Sequence, residues 1–468
     1  MPSNNFRVKL CQEARIWRDE GMINEGQYQQ LVQRYQFETL EISPKDNFIW
    51  ILIALGSIFL GLGIISFASA NWEKIPREIK VGLLLSSLFT TNVIGFKLWR
   101  QTEARQRKQL LGEGLLILGA LLLGINLLII VQLFQLNIPN YEVVLVWAGG
   151  ILIMAYSLGL ASLGVFALIL TFIGYWGGLI DLPNATNDLT WGRLVVEHLP
   201  LLLWLGYIPL AYLCRSRWVF VLGAIAFTIS LQFNLQPWEY LTPSSRFPWL
   251  ASFAFALPPL LLWSYDDRLF PWQNLRRFQP IARSLSLVFF CILFYIFSFH
   301  YYWQNSPSLY TQVIADGTNF NLTLLVDIIC LSIIAIFQWF LLIRSSRNRI
   351  GLSSLIIFTW SAIAFLIPFW YRLNLGLEAI PIALFNCLLA TLAVGLIRQA
   401  LETGKRITFW GGMLLLILQI LSRMLEYETN LLLKSGVFTG CGIVVILVGL
   451  WFENHLYALS LRSSKPPL

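Results

Sequence analysis

Fourteen apolar runs of about twenty residues, each long enough to cross a bilayer, constrain this chain more than any other feature. They begin near positions 48, 78, 112, 142, 160, 199, 216, 248, 284, 322, 350, 377, 406 and 434. In 468 residues, fourteen spans leave connections of about ten residues, too short to hide a large extramembrane domain. Only 12% of residues are charged, about half the share in an ordinary soluble domain, and 57% are hydrophobic. The expectation is an all-α polytopic transmembrane helical bundle with a short N-terminal amphipathic head. Residues 1–47 form that head, 48–456 the transmembrane domain and 457–468 a short tail. The first run starts at Phe48, behind a charged segment, which argues against a cleavable signal peptide. Six scattered cysteines show neither a disulfide framework nor zinc-ligand spacing.

The scarce charges give the bundle a direction. Under strict alternation of sides, 25 of the 33 Lys and Arg fall with the head and 8 on the opposite side. Clusters such as Lys97–Lys108 and Arg344–Arg349 contribute eight of the 25. Basic residues accumulate in cytoplasmic loops, so both termini are expected in the cytoplasm. The net charge of +8 is therefore a topology signal before it is a nucleic-acid signal. The weakest stretch is 142–180, where a short loop near Tyr156 must separate two spans.

In the head, Phe6, Leu10, Ala14 and Trp17 form a narrow apolar stripe on one helix. Gly21 fits its C-cap, and Asn24 with Gln27 makes a loose capping box for a second helix. That helix carries Tyr28, Leu31, Val32 and Tyr35 on one face. Two helices this short cannot bury a self-sufficient core. Residues 4–37 therefore pack as a cytoplasmic cap, dock a protein partner or self-associate. Acidic residues interrupt any basic face, so no nucleic acid is expected.

Polar residues at membrane depth are the natural places to look for function. Asp327 lies five residues into the run that starts at Leu322, near the external end; a cavity role, helix-end hydration and an internal hydrogen bond remain open. Glu113 and Asn126 mark the third span, the first near its cytoplasmic end. Glu113 is a cavity residue or simply a carboxylate favoured by the helix dipole. Arg423 and Glu426 stand three apart, one face of a helix, as an anchor or a gate. Asp266 and Asp267 lack the repeat of a magnesium-diphosphate site and read as a solvated loop. The three histidines, His198 among them beside a loop, form no catalytic motif. No cofactor or metal is implied.

Trp17, Gly21, Tyr28 and Tyr35, then a glycine-rich first span running into Ala70-Asn71-Trp72, Ile75-Pro76 and Lys80, form a further pattern. Together they resemble the bacterial membrane proteins grouped as domain of unknown function 2157, over residues 1–100. The stretch from Gly411-Gly412 through Ser422-Arg423 to Gly440 and Gly442 is similar to the closing helices of related uncharacterised families. The resemblance implies a polytopic bacterial inner-membrane protein and assigns no substrate. Independently, Trp72 is placed to anchor at the interface and Asn71 to turn the chain toward Pro76.

Three functions fit this reading. A transporter or permease explains many spans with minimal loops and dispersed polar groups. A non-catalytic scaffold or sensor would use the head to dock a partner. A membrane-embedded enzyme would act on a lipid or envelope glycan and would need clustered charges at a lateral opening.

Overall fold

The computed structural model describes residues 10–11, 13–14, 17–18, 20–35, 59, 76–100, 106–181, 190–241, 247–267, 278–303, 323–345, 351–373, 379–427 and 430–463. Apart from Phe59, the first apolar run lies outside them, as do Asn71 and Trp72. The chain divides into two compact units, 1–86 and 87–468.

In the first unit, helix α1 (Glu25–Tyr35) opens on a reciprocal cap. The Asn24 N–H donates to Gln27 Oε1 at 3.0 Å, and the Gln27 N–H donates to Asn24 Oδ1 at 2.8 Å. Two otherwise orphaned donors are satisfied this way. Gly21 turns the chain before it with φ +73°, where a side chain would be strained. Ala14 and Tyr28 are buried against each other's neighbours Trp17 and Leu31, and the Arg18 guanidinium lies over the Tyr28 ring at 4.8 Å.

Helix α2 (Arg77–Arg100) begins in the first unit and ends in the second. The second unit continues with α3 (Gln106–Leu133), α4 (Asn140–Leu158) and α5 (Ala161–Asp181). Next come α6 (Trp191–Glu197), α7 (Leu199–Leu213), α8 (Arg217–Leu235) and α9 (Pro248–Ser264). The remaining helices are α10 (Gln279–Phe297), α11 (Thr323–Ser345), α12 (Leu352–Leu373), α13 (Ala379–Thr403), α14 (Arg406–Glu426) and α15 (Leu431–Ser463). Eleven of the described helices are long and apolar enough to cross a membrane, or twelve if the bent pair α6–α7 is one span. The protein is an all-α, polytopic membrane helical bundle.

The stretch 142–180 holds two helices. Gly159, at φ +66°, ends α4 with its N–H on the Ala155 carbonyl, and α5 starts two residues later.

Helix α9 is the hub. It packs against α8, α10, α11 and α12, and it contributes to both large apolar clusters of the unit. At 17 residues it spans roughly 26 Å, somewhat less than a typical hydrocarbon core. Pro258 has no N–H, so the Ala254 carbonyl one turn back loses its helical donor. Gln232 of α8 replaces it, donating Nε2 to Ala254 O at 2.5 Å. In a bilayer every backbone group must be satisfied within the protein. Gln232→Leu is therefore expected to cost about 1–3 kcal/mol in detergent-unfolding assays. The same change in a Pro258→Ala background should cost much less, because the new N–H can serve Ala254.

The acidic pair after α9 is not a solvated loop. Asp266 is buried, and Asp267 accepts the N–H groups of Phe278 (2.9 Å) and Gln279 (3.4 Å), capping the start of α10. Tyr212 of α7 also donates to Asp267, and Tyr265 donates to Tyr212 at 2.8 Å. An aspartate in sequence looks solvated until the backbone donors that reach it from the next helix are known.

Candidate functional site

The run near position 199 is not one continuous helix. Helices α6 and α7 meet at a bend of 75° centred on His198. Pro200 supplies the local cause: without an N–H it cannot donate to the Val196 carbonyl, and its ring opposes a straight continuation. His198 ends α6 by donating its N–H to Leu194 O at 3.0 Å and starts α7 by accepting from the Leu202 N–H at 3.0 Å. Thr190 caps the start of α6, its Oγ1 accepting from the Arg193 N–H at 3.3 Å.

A neighbouring helix satisfies the carbonyls exposed by the break. Asn234, in the last turn of α8, donates Nδ2 to Val196 O at 3.1 Å and to Glu197 O at 2.7 Å. Its Oδ1 accepts from the Tyr175 hydroxyl of α5 at 2.8 Å. One amide thus holds an interrupted helix in place, and a tyrosine orients that amide. Beyond the break, α7 contains a wide π turn at Leu203–Tyr207, a form concentrated at functional positions. Tyr207 and Thr171 share a hydrogen bond of 2.6 Å there.

At the bend, His198 Nδ1 lies 2.7 Å from Asp327 Oδ1 of α11. Asp327 is only 2% exposed, and its Oδ2 is buried with no hydrogen-bond partner. The imidazole itself is partly open, 22% exposed. Glu197, also buried, pairs with Arg193 at 2.8 Å and lies within the electrostatic reach of Asp327. A carboxylate with a spare oxygen and a partly open imidazole at a bent helix make a site able to bind a cation, a proton or a hydrogen-bonding solute.

A second polar cluster gathers the ends of α10, α13 and α14. Arg423 donates Nη1 to Ser298 O at 2.6 Å, forms an ion pair with Glu426 and lies over the Phe299 ring at 4.3 Å. Glu426 Oε1 accepts the His300 N–H at 2.6 Å. Gln419 donates to Asn386 O at 2.9 Å, and Asn386 donates to Ser298 O at 3.2 Å.

The other sequence candidates are placed separately. Glu113 Oε1 accepts from Ser162 Oγ at 2.6 Å, joining α3 to the start of α5. Asn126 is 2% exposed and donates to Leu122 O of its own helix at 2.7 Å; its Oδ1 is buried without a partner. Among the described residues, no hydrogen bond joins Asp327, Asn126, Glu113 and Arg423 to one another. Asn71 and Trp72 lie outside the described residues. Among the described residues, no three His, Cys, Asp or Glu side chains gather as a metal site.

Sequence reasoning missed His198, Asn234 and Tyr175 as parts of one site. Pro200, two residues after His198 inside an apolar run, was the available signal of a break. Nothing in sequence placed residue 327 beside it.

Interrupted helices enclosing buried polar groups within a multi-span bundle define a polytopic integral membrane protein. Within that class, residues 15–164 match the model of a family described as predicted membrane protein (DUF2157). The match runs from residue 15, ahead of α1, to the first turn of α5, beyond the residue 100 where the N-terminal sequence motifs stop. No curated protein and no solved structure matches the chain.

Proposed function

We propose that the protein is a transporter or permease of the bacterial inner membrane whose solute path passes the break between α6 and α7. The observation that carries this reading is the bent helix pair with His198 bonded to the buried Asp327 at its bend. Broken helices expose backbone polar groups at membrane depth only where protein or a cavity accommodates them. Asp327 would take part in solute or ion binding, with His198 holding it in orientation. Asn126 and Glu113 would add polar positions along α3, and Arg423 with Glu426 would form a gate at the end of α14. Asn71 and Trp72 would close the turn between the first two spans.

The full topology in this reading has fourteen spans. The eleven long helices, the bent pair, the short hub helix α9 and the run from Phe48 make up that number. Both termini then lie in the cytoplasm, with the 1–47 head as a helical cap and 457–468 as a tail. The capped helix α1 and its small apolar cluster favour a secondary role, in which residues 4–37 dock a protein partner or a second copy.

Cysteine accessibility tests the transport reading. Single cysteines are placed in turn from Leu199 to Gly206 in a background lacking the six native cysteines. A transporter gives at least one position that a membrane-impermeant thiol reagent modifies from either face of sealed vesicles. Modification from one face only at every position, or from neither, would overturn the reading and favour a scaffold.

A further inference from the structure

A crevice of about 150 Å³ lies in the second unit between α9, α10, α12 and α13. Its walls include Trp263, Leu287, Trp360 and Leu396, with Ser353 and Gln399 as polar exceptions. It sits where α9 and α13 end and α10 and α12 begin, the end of the bundle that bears the basic loops. Val288, Leu355 and Val394, each beside or close in sequence to a lining residue, are more than half exposed. In a membrane such exposed apolar side chains face acyl chains, so the mouth opens toward lipid rather than water.

A cation stands beside this apolar slot. Arg283 lies one helical turn before Leu287, and its guanidinium rests over the Trp263 ring at 5.4 Å. Its Nε is buried without a hydrogen-bond partner, and no ion pair holds it among the described residues. Asp266 is near enough to act on it through space, yet does not bond to it. An arginine at the end of a span reaches toward the headgroup layer, where phosphate is the abundant acceptor.

We propose that this crevice is a binding site for an anionic phospholipid, with one acyl chain in the Trp263–Trp360 slot and the phosphate on Arg283. The arrangement matches the two parts of the ligand: an apolar groove open to the bilayer and a planar donor at its headgroup end. A guanidinium also suits a phosphate better than an ammonium would, because its donors are fixed in a plane.

The test uses the purified full-length protein in mild detergent and native mass spectrometry. The protein is mixed with phosphatidylglycerol, or with phosphatidylethanolamine of the same chains. The parent should retain phosphatidylglycerol in preference. R283Q should lower the retained fraction about tenfold, equivalent to about 1.4 kcal/mol. G395F fills the crevice from a position where an added Cβ meets nothing within 4 Å, and should lower retention while leaving Arg283 intact. Inorganic phosphate should not displace the lipid. Undiminished retention in G395F, or in a folded R283Q, would overturn the proposal. So would equal retention of both lipids or displacement by inorganic phosphate.

Discussion

Replacing His198 by alanine is expected to destabilise the protein by about 3 kcal/mol, because it strands the Asp327 carboxylate in a buried setting. Asp327 already has one oxygen without a partner, so loss of the other bond leaves it with none from the described residues. The measurement is the midpoint of detergent-induced unfolding, compared between parent and variant. The double replacement His198→Leu with Asp327→Leu should recover most of the loss. Removing both polar partners eliminates the desolvation penalty along with the bond. If the double variant is as unstable as His198→Ala, the pair supports the fold in some further way than mutual satisfaction. A transport role predicts in addition that the stable double variant loses two-sided accessibility at the α6–α7 break. Stability and function would then separate.

Arg423→Leu is the second large effect, expected at about 3–5 kcal/mol. The guanidinium has three neighbours at once: the Ser298 carbonyl, the Glu426 carboxylate and the Phe299 ring. Its loss leaves Glu426 as a largely enclosed charge with no cation beside it at the end of α14. Here the double replacement Arg423→Leu with Glu426→Leu should not recover the loss. The His300 N–H would lose Glu426 and the Ser298 carbonyl would lose Arg423. Asn386 still donates to Ser298 O at 3.2 Å, which softens one of those losses but not the other. The same unfolding assay decides it: recovery comparable to that of the His198–Asp327 double variant would refute the difference. The contrast has a simple cause. His198 and Asp327 chiefly satisfy each other through their side chains, whereas Arg423 and Glu426 terminate backbone groups at the end of α10.

Parts of this architecture were legible without coordinates. The capping box at Asn24 and Gln27 was readable because both partners lie within one turn of chain. The Arg423–Glu426 pairing was readable for the same reason, three residues apart on one helix. The helices of the described runs were readable because a bilayer demands a minimum apolar length. The interruption at His198 was less evident, since a run containing Pro200 and Pro209 is as apolar as its neighbours and a proline does not state its bend angle. The Asp267 cap was hidden because its donors belong to Phe278 and Gln279, across a connection.

Which helices touch, and through which faces, was beyond the sequence. In water, an apolar stripe marks the buried face of a helix. In a bilayer, lipid tails are as apolar as leucine, so buried and exposed faces carry much the same residues. Asn234 therefore carries no mark in the sequence that sets it apart, and Asp327 stands there as a carboxylate with an unassigned setting. Their partners stand 38 residues or fewer away for Asn234 on α6, and 129 away for Asp327.

The sequence by itself determined that this chain is a multi-span membrane protein of helices, because apolar length and scarcity of charge admit little else. It also supplied the charge asymmetry from which an orientation is proposed. Tertiary structure alone decided that Pro200 becomes a bend of 75°, that Asn234 closes the carbonyls it frees, and that His198 meets Asp327. Crossing a bilayer is a property of each segment's own transfer energy and can be read segment by segment. Pairing polar groups across helices depends on three-dimensional packing, which the apolar surroundings leave almost unmarked in the chain.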